Sequence, residues 1–125
     1  MQRLPAEQTG WLAGARDPVV GAVLAVLHEN PRHGWTLAEL AREAGASRSV
    51  LARRFSQLIG ETPVSYLRRW RLCLAAGRLA TSRETILHIA ADVGYQSEAA
   101  FNRAFRLEFG VPPARYRRRI QAGDP

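Results

Sequence analysis

Apolar residues recur three and four positions apart along most of this chain, the spacing of helices with one buried face. Val20, Val23, Leu24 and Leu27 form the first stripe, opened by Asp17 as N-cap with Pro18 at the first helical position and closed by Pro31 and Gly34. Thr36-Leu37-Ala38-Glu39 spells a capping box, in which a threonine hydroxyl and a glutamate carboxylate satisfy free N–H groups reciprocally. Leu37, Leu40, Ala41 and Ala44 follow it, and Gly45 stops that helix. Ser47 caps the next, whose buried face is Leu51, Phe55 and Leu58 and whose end is Gly60. Thr62-Pro63 starts a long helix to about Ala80, carrying Leu67, Trp70, Leu74 and Leu79. Thr85 caps a short helix with Ile86, Ile89, Ala90 and Val93, ended by Gly94. Ser97 caps another with Phe101, Phe105 and Phe109, and Pro112-Pro113 opens a last one bearing Tyr116 and Arg117 to Arg119. No run alternates like a strand. The expected fold is all-α with seven helices.

The pattern repeats. Leu40-Ala41-Arg42-Glu43-Ala44-Gly45, Ser47, Leu51-Ala52-Arg53-Arg54-Phe55, Gly60, Pro63 and Tyr66 are matched by Ile89-Ala90-Ala91-Asp92-Val93-Gly94, Ser97, Phe101-Asn102-Arg103-Ala104-Phe105, Gly110, Pro113 and Tyr116. The offset is 50 from the serines onward and 49 before them, so the second unit has one extra turn residue, either Tyr95 or Gln96. Two units are fewer than the roughly three a solenoid needs. Each unit spells helix, tight glycine-containing turn, helix: the helix-turn-helix, whose second helix enters a major groove. Purely structural helix pairs share this pattern.

Charge sharpens the picture. Eighteen basic residues, all of them arginine, face eleven acidic ones, for a net charge of +7. Such an excess favours a polyanionic partner, because neutralising phosphates releases counterions; a solubilising arginine-biased surface is the bland alternative. The single cysteine, Cys73, leaves no internal disulfide and argues against a cysteine zinc site. His28, His33 and His88 show no ligand spacing and read as helix-end or surface residues. No metal and no cofactor is expected. The longest apolar run, Pro18 to Leu27, is roughly half of a membrane span, and the first residues carry no apolar signal core. A cytoplasmic protein without a membrane partner is expected.

Thr36-Leu37, Leu40-Ala41, Ala44-Gly45, Ser47, Leu51, Arg53, Phe55, Gly60, Pro63, Tyr66-Leu67 and Arg71-Leu72, then Ile89-Ala90, Val93-Gly94-Tyr95, Ser97, Phe101, Arg103, Phe105, Gly110, Pro112-Pro113 and Tyr116-Arg117, resemble the C-terminal DNA-binding domain of the AraC/XylS transcriptional regulators over about residues 18–118. The resemblance implies two homeodomain-like helix-turn-helix lobes joined by a long linker helix. It also implies a sequence-specific DNA-binding transcriptional regulator that reads two successive major-groove segments, with recognition helices about 34 Å apart. The expected division is a linker or flexible arm over 1–16, a first lobe over 17–61, the linker helix over 62–82, a second lobe over 83–122 and a tail over 123–125. Double-stranded DNA and RNA polymerase are the implied partners. Most members carry an effector-binding domain, so either such a domain is missing from this chain or the chain stands alone, as small members do.

On a helical wheel Arg48, Ser49, Ala52, Arg53 and Ser56 fill an arc of about 140°, away from Leu51, Phe55 and Leu58. Small residues let the backbone settle into a groove while arginines reach base edges. The equivalent second arc is Glu98, Ala99, Asn102, Arg103 and Arg106. Base-edge candidates are therefore Arg48, Ser49, Ala52, Arg53, Glu98, Ala99, Asn102 and Arg103, and the resemblance places base contacts at all of them except Arg48. Glu98 is equally explained as an acid at a helix N-terminus. Ser49 and Ala52 are short, so the first lobe is expected to lean on thymine methyls. Phosphate candidates are Thr36, Ser47, Thr85 and Ser97 at helix N-termini, with Arg54, Arg83 and Arg106. The Arg117–Arg119 run reads as a solvated tail or a further contact, and Trp70 as a packing anchor. The competing function is a basic helical protein-interaction module without sequence-specific DNA binding. An enzyme is not expected: Cys73 is the one candidate, as an alkyl acceptor, and it stands alone.

Overall fold

The computed structural model describes residues 14–123, so most of the expected 1–16 arm and the last two positions of the expected tail lie outside the described residues. Among the described residues there is no strand, and seven helices follow one another: α1 Pro18–Glu29, α2 Leu37–Ala44, α3 Arg48–Ile59, α4 Pro63–Thr81, α5 Ile86–Asp92, α6 Glu98–Phe109 and α7 Pro113–Gln121. Residues 14–16 are helical as well. The chain divides into two compact units. One takes the chain up to Asn30 together with Gly34–Leu67; the other takes Pro31–His33 and the chain from Arg68 onward.

In the first unit the Asp17 carboxylate accepts from Val19 N at 2.9 Å and Val20 N at 3.0 Å, which starts α1. The helix stops at Glu29, where the Asn30 N–H donates back to Val26 O at 3.0 Å; Pro31, lacking an N–H, cannot extend it. The capping box at Thr36 and Glu39 forms as expected. Gly45 then takes φ +64°, a left-handed turn that favours glycine. Val20, Val23, Leu27, Leu40, Leu51 and Phe55 are fully buried between α1, α2 and α3. Tyr66, in the first turns of α4, sets its ring edge-on to Phe55 at 5.8 Å. Its hydroxyl lies 2.7 Å from Nε2 of His28. His28 is thus half-buried in a packed contact rather than a plain surface residue, and burial pushes its pKa down.

The second unit repeats the plan. Leu72, Ala75, Ala76 and Leu79 of α4 pack with Ile89, Ala90 and Val93 of α5 and with Phe101 and Phe105 of α6. Tyr116 of α7 meets Phe105 edge-on at 5.3 Å, as Tyr66 meets Phe55. Arg117 folds back to donate to Leu79 O at 3.3 Å, and Gln121 donates to Leu79 O and Ser82 O at 3.0 and 2.9 Å. Arg117 therefore helps satisfy the Leu79 carbonyl near the end of α4, whereas Arg118 and Arg119 are exposed.

The repeat reaches further than its sequence match. The buried stripe Val20, Val23, Leu24, Leu27 of α1 has the same spacing as Leu72, Ala75, Ala76, Leu79 of α4, at a constant offset of 52. The start of α4 closes the first unit and its remainder opens the second, so the linker helix is the last helix of one repeat fused to the first helix of the next. The turns also align. Gly45 and Ala46 donate to Arg42 O and Ala41 O at 3.2 and 3.0 Å, while Gly94 and Tyr95 donate to Ala91 O and Ala90 O at 3.1 and 2.9 Å. Tyr95 is thus the counterpart of Ala46, and Gln96 is the extra residue.

Phe105 is fully buried and touches Phe101, Phe109 and Tyr116. Phe105→Ala should cost about 3–5 kcal/mol of stability through lost burial and a residual cavity, read as a lowered midpoint in urea unfolding.

Candidate nucleic-acid interface

Burial of Leu51 and Phe55 decides which face of α3 looks outward. Ser47 caps that helix by accepting from Val50 N at 3.1 Å. Arg48, Ser49, Arg53 and Ser56 are then exposed and Ala52 half-buried, so the first set of base-edge candidates shares one face. In α6 Ser97 accepts from Ala100 N at 3.0 Å, and buried Phe101 and Phe105 turn Glu98, Ala99, Arg103 and Arg106 outward with Asn102 half-buried beside them. Arg48, Arg53, Arg103 and Arg106 form no ion pair or side-chain hydrogen bond among the described residues. Their guanidinium donors face solvent and are available to an incoming anion or base edge. Glu98 lies in the first turn of α6, where the N–H groups of the helix end favour a negative charge.

The phosphate candidates divide by what already occupies them. Thr36, Ser47, Thr85 and Ser97 are all exposed, and each hydroxyl caps its own helix. At Thr36 the Glu39 carboxylate sits on the same helix end, 3.3 Å from Thr36 N and 3.1 Å from its hydroxyl. That negative charge opposes a phosphate, and Glu98 puts another acid in the first turn at Ser97, whereas the helices capped by Ser47 and Thr85 have no acid in their first turns. Arg54 lies 3.7 Å from the second carboxylate oxygen of Asp17, whose first oxygen caps α1. With Arg54 42% exposed the pair is screened by water and weakly stabilising. Arg83 and Arg106 are exposed.

One charge cluster was not expected from the sequence. Arg78 of α4 bonds the carboxylates of Glu84 and Asp92 at once, with its Nε 2.9 Å from Glu84. Ser82 also donates to Glu84, at 3.1 Å, and His88 lies 3.5 Å from it. The cluster fixes the segment that leads into Thr85 and α5. The Arg78 hydrogen bonds hold the Glu84 carboxyl at about 2, well below its ordinary 4.5, and push Arg78 up. The spacing of Arg78, Glu84 and Asp92 fits no single helix face, so no periodicity in the sequence marks it. Trp70 is half-buried on α4, and Cys73 on the same helix is exposed. Among the described residues no group of His, Cys, Asp or Glu is arranged to hold a metal, and no helix is long and apolar enough to cross a membrane.

Known proteins share this fold. A family model described as a helix-turn-helix domain matches residues 40–119. An AraC-like protein of Streptomyces lividans is 47% identical over 118 residues, which cover 94% of this chain and 39% of that protein. The regulatory protein SoxS of Escherichia coli is 33% identical over 106 residues, which cover 85% of this chain and 99% of SoxS. The chain belongs to the AraC family. Among solved structures, this AraC-family chain is similar to the DNA-binding domain of AdpA in complex with a target DNA: TM-score 0.79, 32% identity, 86% of this chain and 96% of that one. An AraC-type protein from Chromobacterium violaceum gives the same TM-score, 0.79, at 26% identity, covering 86% of this chain and 96% of that one. The chain spans about two fifths of the length of the first curated relatives, 39% in each.

The Glu84 carboxylate has a depressed folded pKa, so its contribution to stability is complete above its ordinary 4.5 and lost as pH falls through about 2. Urea unfolding followed from neutral to acid pH should show a decline across that window, and Glu84→Gln should flatten it.

Proposed function

We propose that this chain is a sequence-specific DNA-binding transcriptional regulator that reads two successive major-groove segments of one duplex. The observation that carries it is the duplicated unit. The two recognition helices present Arg53 and Arg103 at equivalent positions, both exposed and, among the described residues, neither paired with an acid. Arg103 supplies a fork for guanine, Asn102 a paired bond for adenine and Glu98 an acceptor for the cytosine amino group, while Ser49 and Ala52 leave room for thymine methyls. Ser47 and Ser97 present helix N-termini to phosphates, with Arg48, Arg83 and Arg106 adding charge. In this reading residues 17–61 and 83–122 are the reading lobes and 62–82 the helix between them. RNA polymerase and, in a longer protein, an effector-binding domain are the partners that go with it, and the cytoplasm is its compartment. The relatives' names as transcription regulators and the DNA held by AdpA support it.

Selection of bound sites from a random DNA pool tests the proposal directly. A defined site with two half-sites is expected; binding no better than to random DNA would favour a basic module for acidic protein partners. Arg103→Ala should weaken binding to the selected site by about 1–3 kcal/mol and relax preference at one base pair, read by mobility-shift titration. Affinity should also fall steeply with salt, log K changing by about −0.9 per phosphate neutralised for each unit of log salt concentration.

A further inference from the structure

The second unit contains three residues that chain order would assign to the first, Pro31–His33, and one side chain holds them. Arg71 of α4 donates from Nε to Pro31 O at 2.6 Å and from a terminal guanidinium nitrogen to His33 O at 2.8 Å. The same guanidinium is packed against the turn of the second helix-turn-helix. A Cβ placed on Gly94 would lie 3.1 Å from both Cζ and Nε of Arg71 and 3.2 Å from Arg32 O. Gly94 has φ +104°, so both its backbone and its surroundings call for glycine. Its counterpart Gly45 is left-handed too, but a Cβ there would meet nothing within 4 Å. The second turn is therefore backed by a guanidinium and a carbonyl-lined segment, and the first is open.

The backing leads to the recognition helix. Tyr95, next to Gly94, sets its ring edge-on to Phe101 of α6 at 5.4 Å. Phe101 adjoins Asn102 and precedes Arg103 by two residues. We propose that Arg71 is a positioning residue for the second recognition helix, setting its entry angle by clamping Pro31–His33 behind the Gly94–Tyr95 turn. This rests on the DNA-reading function proposed above. The clamp uses what a guanidinium has and an ammonium lacks: a planar fork that presents two separate nitrogens, at fixed spacing, to two carbonyls beside Gly94. Half-burial of Arg71 lowers its pKa, yet an arginine remains charged, so the clamp persists across the ordinary pH range. A readout by side chains tolerates only about 10–20° of misalignment, which makes a backed turn matter more to base discrimination than to phosphate binding.

The test uses the full chain and the DNA site selected by the wild type. Arg71→Lys keeps the charge but replaces two fixed nitrogens of a planar fork with one nitrogen on a flexible stem, so the carbonyls are no longer held in the same geometry. It should lower affinity for the selected site about tenfold, the order of one good base contact. Binding to random-sequence DNA and the salt slope should stay as in the wild type. The base pairs whose preference relaxes should be those relaxed by Arg103→Ala and not those relaxed by Arg53→Ala, a pattern that general loss of stability would not produce. Pro31→Gly with His33→Gly leaves Arg71 in place, loosens the carbonyls it holds and should give the same relaxed set even if Arg71→Lys fails to fold. Unchanged preference in the folded variants, or equal relaxation at both half-sites, overturns the inference while the DNA-reading function stands. A wild-type chain that selects no sequence overturns both.

Discussion

A helix of twelve residues that must bury two large side chains on one stripe has no freedom left in how it presents the other. That constraint governs α3 and α6, each twelve residues long, which bury Leu51 with Phe55 and Phe101 with Phe105. The edge-on rings of Tyr66 and Tyr116 lock each phenylalanine from the side, so rotation about the helix axis would cost aromatic contact as well as buried area. Exposure of Arg53 and Arg103 follows from apolar packing, not from any preference of arginine for that face.

The same packing sorts the charge. A net excess of seven positive charges suggests a uniformly basic surface, but the arginines serve different ends. Arg71 clasps backbone carbonyls, Arg78 holds two carboxylates, Arg117 bonds the end of α4, and Arg54 faces a capping aspartate. Among the described residues Arg48, Arg53, Arg103 and Arg106 have no such duty. The electrostatic case for a polyanionic partner is better made from these four than from the total.

What could be read from the sequence was local. Thr36 with Glu39, Ser47, Ser97, Asp17-Pro18 and Gly45 act within a few residues of themselves, and each fixes a helix end by chemistry that its neighbours reveal. The stripes of Leu51 and Phe55 or of Phe101 and Phe105 follow from helical period alone. What stayed hidden depends on distant segments. The Arg71 bonds to Pro31 O and His33 O span some forty residues and end on backbone carbonyls, which carry no side-chain signature. His28 is the helix-end residue its position suggests, but its burial cannot be read from that position because its partner, Tyr66, belongs to another helix. The likeness of α1 to the latter part of α4 is faint in the sequence because Leu, Ala, Ala and Leu stand against Val, Val, Leu and Leu: the spacing survives, but only the last identity does.

The long helix shows why the molecule resists being taken apart by segments. Its first turns complete one hydrophobic core and its remainder founds another. A severed α4 would strand Tyr66 and Leu67 from one bundle or leave Leu72 to Leu79 without the helical register that aligns them. Because α4 supplies buried side chains to both cores, any change in its length reaches both modules together.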